Sequence, residues 1–245
     1  MSGLFYAYAK NESDHWSYRY IITFASRAVA DEWWRAVQDS VTDSFKTFAD
    51  VKRVTPQFYT HKPSVGNIPN TVTDAKCAPK FLGKVFFTLL NDHDGRILSV
   101  APPIDITDHI SGNTYYIRSK GEPGKYWNLV TERVSEDSSR QVVQLSSTGR
   151  TRFRIKIRVA DGSSQDGKIM IGSDDIFISV PETNNVDVSN INTSGNHGAL
   201  LAGRAADVFK FHDFDNGFIV AGAIGGSQSS NVWKHEFGQK WELVA

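Results

Sequence analysis

Trp127 and Trp233 each stand beside hydrogen-bonding side chains: Asn128 follows the first, while Asn231 and His235 flank the second. A tryptophan at a strand edge presents a flat apolar face on which the C–H face of a sugar ring can stack. Neighbouring amide and imidazole groups then exchange hydrogen bonds with the hydroxyls. Trp127, Asn128, Asn231, Trp233 and His235 are therefore the candidate carbohydrate-binding residues. The competing place for any indole is the core, where large aromatics are mostly buried. Trp241 is assigned there, and Trp33 and Trp34 to the packed face of a helix.

A second kind of chemistry is carried by charge. Arg152, Arg154, Lys156 and Arg158 alternate with Phe153, Ile155 and Ile157, so four cations face one way along a strand. Such a stripe suits phosphate or a sulfated glycan. Its simpler reading is the solvated face of an amphipathic strand, which a balanced net charge favours.

Catalytic signatures are missing. There is no Gly-x-Ser-x-Gly, and the tract Gly225-Gly-Ser-Gln-Ser-Ser has neither the strand-to-helix context of a nucleophile elbow nor the Gly-Lys-Ser/Thr of a phosphate loop. It reads as a surface loop. Cys77 has no local histidine and reads as an inert thiol. Asp92-His93-Asp94 and His212-Asp213-Phe214-Asp215 follow neither zinc spacing nor the twelve-residue calcium loop. Asp174-Asp175 reads as a solvated turn, and no spacing favours catalysis by His15, His61 or Asp74. The expectation is a binding protein with no catalytic residue, metal or cofactor.

Composition bounds the partners. The chain has 245 residues, with 27 basic and 27 acidic side chains, 40% hydrophobic and 22% charged residues. That balance is globular, and zero net charge supplies no polyelectrolyte attraction to nucleic acid or to an anionic membrane. No run approaches the ~18 apolar residues of a membrane span. The opening residues lack a basic region before an apolar run, so no signal peptide is expected. A single cysteine suits a reducing cytoplasm.

The elements that must position these residues change along the chain. Residues 18–24, Tyr-Arg-Tyr-Ile-Ile-Thr-Phe, have strand composition. Ser26 offers an N-cap to a helix over 27–41, whose Val29, Trp33, Val37 and Val41 share one stripe. Residues 48–61 read as extended, giving a small α+β module. Pro63, Gly66, Pro69, Asn70 and Pro79 disfavour regular pairing over 60–79 and place a domain boundary there, with domains 1–78 and 79–245. Beyond it the helical period vanishes. Asp94-Gly95 signals a hairpin between 85–90 and 96–100.

Three look-alike strand openings follow at about fifty-residue spacing: Tyr116-Ile-Arg-Ser, Met170-Ile-Gly-Ser and Phe218-Ile-Val-Ala. Each is trailed by a second strand (Trp127-Asn-Leu-Val, Phe177-Ile-Ser-Val, Val232-Trp-Lys-His) and a closing one (Phe153-Arg-Ile-Lys-Ile, Phe209-Lys-Phe-His, Trp241-Glu-Leu-Val). Over residues 113–245 this pattern resembles the β-trefoil, and Gln239-Lys240-Trp241 is similar to the Gln-x-Trp element of ricin-B-type trefoils. The fold expected is mainly β, a C-terminal β-trefoil with a small N-terminal α+β module. The resemblance implies a non-catalytic lectin of the fungal cytoplasmic type, with glycans or glycoproteins as partners and a homo-oligomer supplying avidity. A different reading is a protein-binding trefoil, such as a protease inhibitor or cytoskeletal binder, working through the loops at 159–168 or 183–201.

Overall fold

The first 61 residues owe their strands to β-branched and aromatic runs and their helix to a capped apolar stripe. A computed structural model describes residues 3–42, 45–90, 106–136, 138–159, 165–181, 189–193, 198–220 and 230–245. In order come β1 (Phe5–Asn11), β2 (Tyr20–Phe24), α1 (Arg27–Ser40), β3 (Lys52–Thr55), β4 (Phe58–His61) and β5 (Val85–Leu89). The five strands form one sheet in the order β3-β4-β1-β2-β5, with β1 and β4 parallel and the other neighbours antiparallel. The Ser26 side chain accepts the Val29 N–H at 3.2 Å, closing the start of α1. Trp33 packs within 5.5 Å of the Phe24 ring and 5.4 Å of the Tyr59 ring, and its Nε1 donates to Thr71 Oγ1 at 3.1 Å.

Residues 60–79 are structured, not a linker. The 3-10 turns Ile68–Val72 and Pro79–Phe81 bury Ile68, Val72 and Phe81, so prolines that forbid a ladder still permit packing. The expected boundary at residue 78 gives way for the same reason. Val85–Leu89 pairs with β2 from Phe24↔Val85 to Tyr20↔Leu89, and the chain divides into Met1–Asp108 and His109–Ala245. The predicted 94–95 hairpin turn lies outside the described residues.

A buried ion network ties the end of the first unit to its helix. Arg53, 2% exposed, donates through Nη2 to Asp31 Oδ1 at 2.7 Å and to Asp108 Oδ1 at 2.6 Å. Arg27 Nε donates to the second Asp31 oxygen at 2.8 Å. Asp31 thus neutralises a guanidinium that burial would otherwise make costly.

The second unit holds β6 (Thr114–Ser119), β7 (Tyr126–Arg133), β8 (Ser139–Ser146), β9 (Arg152–Ile157), β10 (Asp175–Val180), β11 (Ser189–Thr193), β12 (Leu200–Gly203), β13 (Phe209–Lys210), the one-turn α2 (Asp213–Asn216), β14 (Phe218–Val220), β15 (Val232–Lys234) and β16 (Trp241–Val244). Among the described residues, β6-β7-β8-β12-β11-β10-β9 close into a seven-strand barrel, every neighbour antiparallel. β13 extends from β10, β16 pairs with β6, and β14–β15 form a separate hairpin. Tyr115, Ile117, Phe153, Ile155, Ile176 and Ile178 point inward, and Trp127 and Trp241 fill the centre. The molecule is mainly β.

The three look-alike openings occupy three different places. Tyr116-Ile-Arg-Ser lies in β6, Met170-Ile-Gly-Ser is the turn before β10, and Phe218–Val220 is β14, off the barrel. Their similarity is one of local composition, which fixes no topology, and the second copy forms no strand.

Candidate functional site

The outward face of β9 and its neighbours gathers cations onto tyrosine rings. Phe153 and Ile155 enter the core, so Arg152 and Arg154 stand outside it, and Arg150 precedes them on the same side of the alternation. The register Tyr116↔Arg152 sets Tyr116 of β6 beside Arg152, and Thr114↔Arg154 follows it. The guanidinium carbons of Arg150 and Arg152 lie 4.4 and 4.7 Å from the centre of the Tyr116 ring. Tyr126 of β7 meets Tyr116 edge-on at 6.3 Å, and Arg150 also lies over its ring at 5.7 Å. Hydrogen bonding from Arg152, with the charges of Arg152 and Arg150, holds the Tyr116 hydroxyl below the usual tyrosine range.

Charge on this face is only partly balanced. Arg118 pairs with Glu242 at 2.8 Å, and Lys156 with Asp166 at 3.3 Å. Among the described residues no carboxylate lies within ion-pair distance of Arg150, Arg152 or Arg154. A guanidinium over an aromatic face can still turn N–H groups toward an oxyanion; Arg152 gives Nη1 to Thr114 Oγ1 at 3.5 Å and keeps its other donors.

The five residues expected to bind sugar are divided between core and surface, with Asn128 and Asn231 both beside Gln144. Trp127 is 0% exposed, on the inner face of β7. It packs edge-on against Phe218 at 5.0 Å and Trp241 at 5.5 Å, so no ring face there is open to a ligand. Asn128, next along, points to the other side, and its Oδ1 accepts from Thr151 Oγ1 at 3.2 Å. Asn231 is buried, its Oδ1 accepting from Gln144 Nε2 at 3.0 Å. Trp233 is half-buried in β15, with its Nε1 buried and unpaired among the described residues. His235 is exposed past the end of β15, and its Nδ1 accepts the Phe237 N–H at 3.0 Å. Trp241 lies in the core, donating from Nε1 to the Phe218 carbonyl at 3.1 Å.

The remaining candidates are occupied locally. His61 Nε2 donates to the Tyr18 carbonyl at 2.8 Å, and its Nδ1 accepts the Ile68 N–H at 3.3 Å. His15 Nδ1 lies 2.6 Å from Ser17 Oγ, and Asp74 accepts the Lys76 N–H at 2.8 Å. Burial raises the Cys77 thiol pKa, so the nucleophilic thiolate is disfavoured. Asp174 and Asp213 accept backbone N–H groups of Ile171 and Lys210, the ordinary work of turn carboxylates. No group of three His, Cys, Asp or Glu side chains able to hold a metal exists among the described residues. Asp92-His93-Asp94 and the Gly225 tract lie outside them. An open cleft of about 450 Å³ in the first unit is lined by loop residues including Glu12, Ser13, Tyr18 and Lys62. Its Glu12 is already paired with Lys52 at 2.7 Å.

Tyr116 and Tyr126 were not singled out from sequence. Reading Trp127 as outward turns its neighbour Tyr126 inward by alternation, and pairing with arginines more than twenty residues away needs the register. No protein-family model matches this chain, no curated protein is detectably similar to it, and no solved structure matches its fold.

Proposed function

We propose that the second unit is a non-catalytic carbohydrate-binding module whose working surface is the outer wall of β7, β6 and β9, with Tyr116, Tyr126, Arg150, Arg152 and Arg154 as the contact residues. The observation that carries this reading is a layer of half-buried tyrosines under exposed arginines, held by paired strands, in which three arginines lack an ion-pair partner among the described residues. Tyrosine supplies a hydroxyl and a ring that holds the guanidiniums in place, arginine a fork of donors, and both are common in binding surfaces. The trefoil resemblance contributes the ligand class only, and Trp127 is withdrawn from the contact set because its ring is sealed.

A single shallow sugar site is weak, around millimolar, so a homo-oligomer would raise useful affinity. The test is a glycan array spanning neutral and acidic structures, followed by titration calorimetry. Arg152→Ala is expected to lose at least about tenfold in affinity, the worth of one charge-assisted hydrogen bond. A folded protein that captures no glycan at all ends this reading. The protein-binding alternative rests on loops at 159–168 and 183–201; of these, 160–164, 183–188 and 194–197 lie outside the described residues, 189–193 is the strand β11 and 200–201 begins β12, and nothing observed favours it.

A further inference from the structure

Resting on that carbohydrate reading, we infer that the glycan recognised is one bearing tetrahedral oxyanions, sulfate or phosphate esters, and that Arg150 and Arg152 on the Tyr116 ring form its principal subsite, with Arg154 a second. Two guanidiniums converge on one ring, 4.4 and 4.7 Å from its centre. Each guanidinium offers a fork of N–H donors, and an ester sulfate or phosphate presents three terminal oxygens to such forks where a carboxylate presents two. Arg154 stands two residues along the extended strand, about 6.7 Å away, so successive anionic groups on one chain can engage both positions.

The rings argue against a nucleic acid on this face. Base-stacking proteins keep aromatic faces free, but the Tyr116 ring is already engaged by the protein's own cations. One acidic side chain limits the field. Glu242 neutralises Arg118, which also hydrogen-bonds Tyr126, so removing that carboxylate adds a free cation at the rim of the same patch.

The experiment uses the full chain and measures affinity for four probes: a heparin oligosaccharide, the same oligosaccharide desulfated, a phosphomannan, and duplex DNA of matched length. The expected result is binding of the sulfated or the phosphorylated chain, the preferred one naming the source of the oxyanion. Desulfation is expected to cost at least tenfold. Arg150→Gln and Arg152→Gln are each expected to lower affinity and to flatten its salt dependence by about one in the log–log slope. These residues are exposed, and unchanged far-UV circular dichroism and melting temperature will show that the variants fold. Glu242→Gln is expected to tighten binding, a gain that a merely structural role would not give. Binding of the desulfated chain as tight as that of both the sulfated chain and the phosphomannan overturns the oxyanion assignment while leaving the carbohydrate reading standing. Absence of binding to every glycan, including neutral ones on the array, removes both. DNA bound as tightly as the sulfated chain overturns the assignment in favour of a general polyanion site.

Discussion

Removing the indole of Trp127 opens a cavity among Phe153, Phe218 and Trp241, and replacing a buried aromatic of this size with alanine costs about 3–5 kcal/mol. Trp127→Phe is milder, and its expected outcome is a lower denaturant midpoint with glycan affinity unchanged. An affinity loss larger than the fraction unfolded would return Trp127 to the binding site. His61 carries a different prediction. Burial lowers its pKa, and the ring is neutral in the fold, with Nδ1 accepting from Ile68 and Nε2 donating to Tyr18. Between the depressed folded value and the ordinary value of about 6.5 the unfolded chain binds the extra proton. Stability is therefore complete above that range and falls as pH drops through it, by at most about 1.4 kcal/mol per pH unit for this one group. Urea titrations of the wild type and His61→Gln at pH 7.5 and 5.5 measure it: the variant is expected to show the smaller difference.

At the level of elements, what could be read in advance was whatever depends on near neighbours. Ser26 and the valine–tryptophan stripe announce α1, and the Arg152–Ile157 alternation announces β9 with its two faces. Long-range pairing was not available in this way. Nothing between residues 116 and 152 says that Tyr116 and Arg152 stand side by side, and the Val85–Leu89 run gives no sign that its partner is β2 and not a following hairpin. The site was legible only as a stripe of cations, its aromatic half being supplied by register. Gly238 illustrates the same point at a turn. A Cβ there would intrude on the backbone of Phe218, which places this glycine under steric demand invisible in the sequence. Gly238→Ala is expected to lower the thermal midpoint clearly, whereas Gly124→Ala, with open space around the added methyl, is expected to change it little.

For the whole molecule, zero net charge conceals an uneven distribution. Acidic and basic residues are equal in number, yet Arg150, Arg152 and Arg154 sit together without a carboxylate among the described residues. Attraction to an anion at this wall is then local and short in range, within a Debye length of about 8 Å at physiological salt. No helix among the described residues is long and apolar enough to cross a membrane.

Parity imposes one more consequence on the barrel. Seven is odd, and a loop of straight members that reverse direction at each step cannot return to its start without a mismatch. The frustration is relieved where a strand turns a corner, and corners can hold few rungs: one registered pair joins β6 to β7, and two each join β8 to β12 and β10 to β11. These seams are where the wall should breathe. Amide exchange under native conditions is expected to be fastest at those three junctions and slowest along the eight-rung β7–β8 ladder. Uniform protection around the circumference would contradict this reading.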